Sequence, residues 1–222
     1  MMETKKFRHI DIESAFDDLP VEQKSGLRFY KSPNGKWLPS VTTVTGWSKR
    51  DFFKEWQQNP DNRRESKRCL KRGNQLHTLI EDYLNNTEDF WGDKDPVNVE
   101  LFKQLQPELH RIDNIIAQEV PLWSERVGLA GRVDCIGEFD GELSIIDFKG
   151  STKTKKEEWI QNYFHQATAY AIMFQEKTGI EIKNIVIMVA CENGENQIFT
   201  KKPIDYVKGL YKDIKLFNED NQ

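Results

Sequence analysis

The chain has 222 residues, a formal net charge of −4 and 37% hydrophobic content, with a mean hydropathy of −0.71. That size suits one domain with embellishments; the acidity excludes a uniformly basic nucleic-acid coat but leaves room for a local basic groove, and no apolar run approaches the roughly 18 residues of a membrane span. Three cysteines, Cys69, Cys135 and Cys191, lie far apart with no CxxC pair, which argues against a cysteine-type metal knuckle and fits reduced structural thiols in a cytoplasm.

Residues 1–26 are polar and mixed in sign and read as a partly ordered lead-in, without the apolar core of a secretory leader. The stretch 27–44 reads as a hairpin turning at Asn34-Gly35. Phe29, Tyr30 and Trp37 flank that turn, either as a small aromatic cluster or as a platform for stacking bases. Helical structure starts between Ser40 and Trp56. From Lys36 to Arg72 ten Lys and Arg face four acids, a region that is either a solvated helix face or a phosphate track.

A helix follows over about Ser66 to Asn85, with Leu70, Gly73, Leu76, His77, Ile80 and Leu84 recurring at helical spacing as its buried stripe. His77 inside that stripe is either a satisfied core histidine or a functional one. Gly73 a turn earlier would allow another backbone close, and Glu81 a turn later would orient the imidazole. Residues 86–96 are loop-like and acidic. Val97 to Ala117 is helical in pattern, as two helices or one kinked at Pro107, and Gln118 to Ser124 reads as a strand whose Pro121 marks an edge or a start.

The stretch 131–149 reads as a second hairpin, because two strand-favouring runs flank Asp140-Gly141. A two-residue turn sets Phe139 opposite Glu142, and the pairing walks back to place Asp134 opposite Asp147. Like charges facing each other destabilise a sheet, so a cation between them is expected. Lys149, two residues past Asp147, points to the same face. Two carboxylates and an ammonium at a strand end suit a divalent metal and a polarised water. Residues 150–158 read as a short linker. Glu158 to Lys177 is an amphipathic helix with Ile160, Phe164, Ala167, Ala171 and Phe174 as its core stripe and Gly179 as its cap; Gln166 and Tyr170 share one of its faces. Lys183 to Cys191 is continuously apolar, as in a strand covered on both faces. Gln197 to Thr200 pairs back through Asn193-Gly194, and a last helix runs from Pro203 to about Asn218.

Four motifs ride on these elements: Gly73-x3-His77-x3-Glu81, Gly131-x2-Asp134, Asp147-Phe148-Lys149 and Gln166-x3-Tyr170, preceded by Leu38-Pro39-Ser40-Val41-Thr42. In that order they resemble the RecB-like branch of the PD-(D/E)xK nucleases, and within it the mitochondrial genome maintenance exonuclease group and its phage relatives, over roughly residues 38–191. The resemblance implies an α/β, restriction-endonuclease-like fold with a central mixed β-sheet flanked by helices. It implies a single domain: residues 1–65 as N-terminal helical and hairpin elaboration, 66–200 as nuclease core, 201–222 as C-terminal helix.

The same resemblance implies Mg²⁺ or Mn²⁺ held by His77, Asp134, Asp147 and the backbone carbonyl of Phe148. Lys149 would position the attacking water and stabilise charge on the transition state, with Gln166 and Tyr170 orienting it or the nucleic acid, and Glu119 would be a further acid near the metal. Arg68, Arg72, Lys153 and Lys155 would contact phosphates. The implied activity is that of a monomeric, metal-dependent exonuclease on single-stranded DNA, with a structure-specific or restriction-type endonuclease, or a catalytically silent DNA-binding module, as alternatives. Two departures stand out. Gly150-Ser151 replaces the group's Thr-Ser, and three scattered cysteines cannot supply the iron–sulfur cluster of some relatives, so none is expected. The absence of a mitochondrial presequence favours the cytoplasm of a bacterial or phage-infected cell.

Overall fold

The computed structural model describes residues 5–12, 16–90 and 94–221. Strand β1 (Val21–Lys24) turns into β2 (Leu27–Lys31) through Ser25-Gly26, both at positive φ, the turn whose twist matches that of paired strands. Strand β3 (Trp37–Pro39) pairs on the other side of β2. Strand β1 lies in the stretch read as a lead-in; its four residues are all exposed, so no apolar alternation marked it and only the Ser-Gly pair did. Tyr30 faces Leu38 across β2 and β3 and is buried with it, Leu19 and Ala130, so Tyr30 belongs to a packing cluster.

Helix α1 (Val41–Thr45) is capped by the Ser40 hydroxyl, which accepts from the Thr43 N–H. Helix α2 (Arg50–Trp56) has no buried residue. Helix α3 (Pro60–Leu84) starts earlier than its apolar period predicts, on a proline in its first turn with the Asn59 side chain as cap. Its buried stripe is Leu76, Leu79, Ile80, Tyr83 and Leu84. Leu70 is not part of it, being 66% exposed, and no backbone lies against Gly73, where an added Cβ would meet nothing within 4 Å. Both line a cleft instead.

Helix α4 (Pro96–Leu109) stops where a longer helical run was expected, and strand β4 (Ile112–Ser124) begins. Pro107 sits in the last turn without splitting the helix. Residues 112–117 are isoleucine-rich; Ile112, Asp113 and Ala117 pair with the next strand, and Ile115, in the bulge between them, exchanges backbone bonds with Arg8 and Ile10; tertiary pairing outweighs a helical period in β-branched sequence. Pro121 is tolerated because β4 is an edge strand.

Strands β5 (Leu129–Phe139) and β6 (Glu142–Ser151) form the hairpin, helix α5 (Gln161–Thr178) crosses over to β7 (Asn184–Cys191), and β8 (Asn196–Lys201) and helix α6 (Pro203–Asp220) follow. Gly150 and Ser151, read as linker, are the end of β6. The sheet order is β4-β5-β6-β7-β8, with β6 and β7 parallel and the rest antiparallel. On β7, Ile185, Ile187, Val189 and Cys191 pack with α1, α5 and α6, while Val186, Met188 and Ala190 pack with α3 and α4. This mixed sheet between two helical layers is the restriction-endonuclease-like arrangement. Among the described residues no helix is long and apolar enough to cross a membrane.

Candidate active site

The hairpin β5–β6 is closed at one end and open at the other. At the turn, Asp140 and Gly141 both take positive φ, and the ladder runs from Phe139↔Glu142 to Cys135↔Ile146. There it stops. Beyond that point β5 ladders with β4, with a single bridge from Ala130 to Ser40, and β6 ladders with β7, so the sheet forks. Asp134 is the first residue of β5 past the fork and Asp147 the first of β6. The Phe148 N–H, left without a ladder partner, donates to Asp134 Oδ2 at 2.9 Å.

Asp147 is almost fully buried, at 2% exposure. Its Oδ1 accepts from Gln166 Nε2 at 2.9 Å, and its Oδ2 touches the Lys149 ammonium and has no other partner. Burial pushes Asp147 above the ordinary carboxylate range, against the pull of Lys149. Burial disfavours charge on Lys149 too, yet Asp147 and Asp134 more than offset it and hold the ammonium above its ordinary value. Lys149 Nζ also lies 3.4 Å from the Phe148 carbonyl oxygen and 5.3 Å from the centre of the Tyr163 ring. Tyr163 was not expected here. It lies three residues before Gln166 on α5, as Tyr170 lies four after it, and both spacings fall on one helix face, which was the available signal.

His77 reaches the fork from α3. Its Nδ1 lies 3.5 Å from Asp134 Oδ2 and 3.9 Å from Glu119 Oε1. Burial opposes its protonation, but Asp134 and Glu119 prevail and raise its pKa to about 9. One ligand atom each from His77, Glu119 and Asp134 lie within 4.8 Å of one another. Asp147, expected beside them, here faces Lys149 and Gln166, and Glu119, expected as a further acid near the metal, lies with His77 and Asp134. Glu119 sits on β4 between the pairs Gln118↔Cys135 and Val120↔Val133, which puts it opposite Asp134. Its φ is +49°, a left-handed conformation costing a non-glycine residue about 1–2 kcal/mol. One imidazole nitrogen and carboxylate oxygens form a donor set that fits a divalent cation, and the under-partnered Asp147 Oδ2 lies beside it.

Two glycines bring the elements this close. A Cβ on Gly131 would lie 2.7 Å from the Tyr170 hydroxyl, and one on Gly150 would lie 3.3 Å from Arg72 Nε. Tyr170 is thereby packed against β5, 2% exposed. The cleft in front of the fork holds about 460 Å³, with α3 from Cys69 to Glu81 on one side and Glu119, Lys149 and Gly150 on the other. Glu81 lines it as well, its pKa raised by burial and then by Glu119 and Asp82.

The expected phosphate contacts divide. Arg72 is buried, bonded to Glu192 and at 3.2 Å to the Gly150 carbonyl, because α3 packs against the end of β6; it ties the two elements together rather than lining a surface track. Arg68 is exposed but held by Glu65 and Glu192. Lys153 is exposed, and Lys155 is half-buried with its N–H bonded to Gln197.

The family model of the PD-(D/E)XK nuclease superfamily matches residues 54–190. Mitochondrial genome maintenance exonuclease 1 of Mus musculus is 25% identical over 202 residues, covering 84% of this chain and 56% of that protein. The Homo sapiens protein of the same name is 26% identical over 150 residues, covering 65% and 40%. The chain thus spans about half the length of the curated relatives it matches. A solved chain from Eubacterium rectale shares 16% identity at a TM-score of 0.44, over 67% of this chain and 64% of that one.

Proposed function

The chain belongs to the PD-(D/E)XK nuclease superfamily, and we propose that it is a divalent-metal-dependent deoxyribonuclease that shortens single-stranded DNA from free ends. The observation that carries this is the convergence of His77, Glu119 and Asp134 on one side of the sheet fork and Asp147 with Lys149 on the other.

His77, Glu119 and Asp134 are the residues that would hold Mg²⁺ or Mn²⁺, with Asp147 and the Phe148 carbonyl beside them; the imidazole favours Mn²⁺ more than an all-oxygen shell does. When bound, such a cation polarises a phosphate oxygen and acidifies a water. Lys149, held protonated by Asp147, offers its ammonium to the extra negative charge that builds on the phosphate as water attacks. Gln166 fixes the Asp147 carboxylate and so fixes Lys149. Tyr163 walls the other side of the ammonium, and Tyr170 sets the spacing between α5 and β5 through Gly131.

The single-strand reading draws on α2. Phe52 and Phe53 are 65% and 48% exposed there, beside Arg50 and Lys54, and exposed aromatics among cations suit unpaired bases and their phosphates. Arg68, Lys153 and Lys155 are the further phosphate contacts of this reading. We take the chain to act as a monomeric single domain, with residues 1–65 elaborating a core over 66–200 and a C-terminal helix over 201–222.

The test is one gel. Labelled linear and circular single strands of the same sequence are incubated with Mg²⁺ or Mn²⁺, with and without EDTA. Progressive shortening of the linear strand, sparing of the circle and silence in EDTA are expected; rapid cutting of the circle replaces the exonuclease reading with an endonuclease one.

A further inference from the structure

Helix α3 carries an interior glycine that the fold does not require. Gly73 lies in regular helix, so no left-handed φ calls for it. A Cβ at that position would meet nothing within 4 Å, so no close neighbour calls for it either, in contrast to Gly131 and Gly150. Glycine is among the poorest residues for a helix interior, and alanine would fit this backbone better. The space in front of Gly73 is the cleft shared with His77 and Glu119.

One turn earlier on the same face, Leu70 lines that cleft with 66% of its surface exposed. Leu70, Gly73 and His77 follow the i, i+3, i+7 spacing of one helix face. At the α-helical rise, Gly73 lies about 6 Å and Leu70 about 10 Å along the axis from His77. Bare backbone and a leucine therefore extend the cleft away from the candidate metal ligands.

We propose that Gly73 and Leu70 form a nucleoside slot, in which the base of a nucleotide next to the scissile phosphate lies on the helix at Gly73 and packs against Leu70. The slot rests on the nuclease reading above and adds to it the place of the neighbouring base. Leu70 gives the slot its apolar wall, and Asn74 lines the same cleft with a side-chain amide of the kind that pairs with a base edge. Among the described residues lining the cleft the cations are Lys149 and the protonated His77; Lys149 is engaged by Asp147, and His77 faces Asp134 and Glu119. The cations of the cleft are thus already paired with carboxylates and leave little counter-charge for a phosphate at Gly73, whereas a flat, uncharged ring would cover an exposed leucine.

The experiment compares wild type with Gly73→Ala, Gly73→Leu and Leu70→Ala. Melting temperature is measured first, then binding of a fluorescent single-stranded oligonucleotide in Ca²⁺, then cleavage kinetics. Gly73→Ala should melt about 2–4 °C higher than wild type and yet bind about fivefold more weakly. Gly73→Leu, with a side chain filling the slot, should bind at least tenfold more weakly, and in both variants KM should change more than kcat. An oligonucleotide with abasic residues at both ends should bind wild type about as weakly as an intact one binds Gly73→Leu. Gly73→Leu binding the intact strand within twofold of wild type overturns the slot and leaves the nuclease reading standing; so does a fall in the melting temperature of Gly73→Ala, which would make the glycine structural. A wild type that neither binds nor cleaves single strands overturns both.

Discussion

The two ends of the β5–β6 hairpin are built from the same strands and do opposite things. At the turn, every ladder pair is formed and the charges lie outside: Arg111 bonds Asp140 and Glu108 in partly exposed pairs. At the fork, the ladder stops at Cys135↔Ile146, and the charges turn inward, with Asp147 buried against Lys149 and Asp134 facing His77. Pairing removes backbone groups from use; parting the strands frees the Phe148 N–H to hold a carboxylate and opens a gap lined by ionisable side chains. A charge pair in water contributes little to stability, whereas a buried one is costly to break. The closed end therefore stabilises the hairpin through its ladder, and the open end accepts that cost where chemistry needs charge.

That contrast can be broken by substitution at either end. The largest effect belongs to Lys149→Ala, which removes the ammonium and leaves Asp147 Oδ2 buried without a counter-ion. Cleavage should fall by about two to three orders of magnitude, measured as single-turnover rates, while Mn²⁺ binding persists; turnover near that of wild type would take Lys149 out of the chemistry. Asp134→Ala should abolish Mn²⁺ binding by calorimetry and also cost about 1–3 kcal/mol of stability, since the Phe148 N–H then lacks its partner. Undiminished Mn²⁺ affinity would remove Asp134 from the ligand set.

The open end should also titrate where the closed end does not. In metal-free protein the His77 pKa is raised from 6.5 to about 9, so its protonated form stabilises the fold. That contribution, no more than about 3 kcal/mol, is fully present below pH 6.5 and disappears as pH rises through about 9. The stability difference between wild type and His77→Gln should shrink across that window in denaturant melts. Mn²⁺ affinity should rise across it, because the ion and the proton compete for the imidazole. A flat difference would detach His77 from the two carboxylates. The smallest effect belongs to the turn: Asp140→Ala should cost about 1 kcal/mol, from a part-exposed ion pair and from alanine tolerating the positive-φ turn position less well than aspartate does, and should leave cleavage unchanged.

Much of this could be read from residue order. The Asp140-Gly141 turn imposes its register on β5 and β6 through local geometry alone, so the approach of Asp134 to Asp147 and the shared face of Asp147 and Lys149 follow from counting. The apolar run of β7 and the α5 stripe follow from burial periodicity in the same way. Family motifs added His77, Gln166 and Tyr170 as candidates by their order. What counting could not supply was where strands stop pairing. The fork exists because β4 and β7 draw β5 and β6 apart, a competition between non-local partners. Non-local pairing with β5 likewise turned residues 112–117 from an expected helix into strand and brought Glu119 opposite Asp134 in a left-handed conformation, while the fork set Asp147 against Lys149 and Gln166. The α3 face was misread for a related reason. Helical spacing groups Leu70, Gly73 and His77 with Leu76 and Ile80, but only the packed sheet and α4 decide which part of that stripe is covered, and they leave the part beside the fork open. Residue order sets the local elements and the chemistry they carry; packing, by choosing which surfaces meet, sets which of those residues face one another across the cleft.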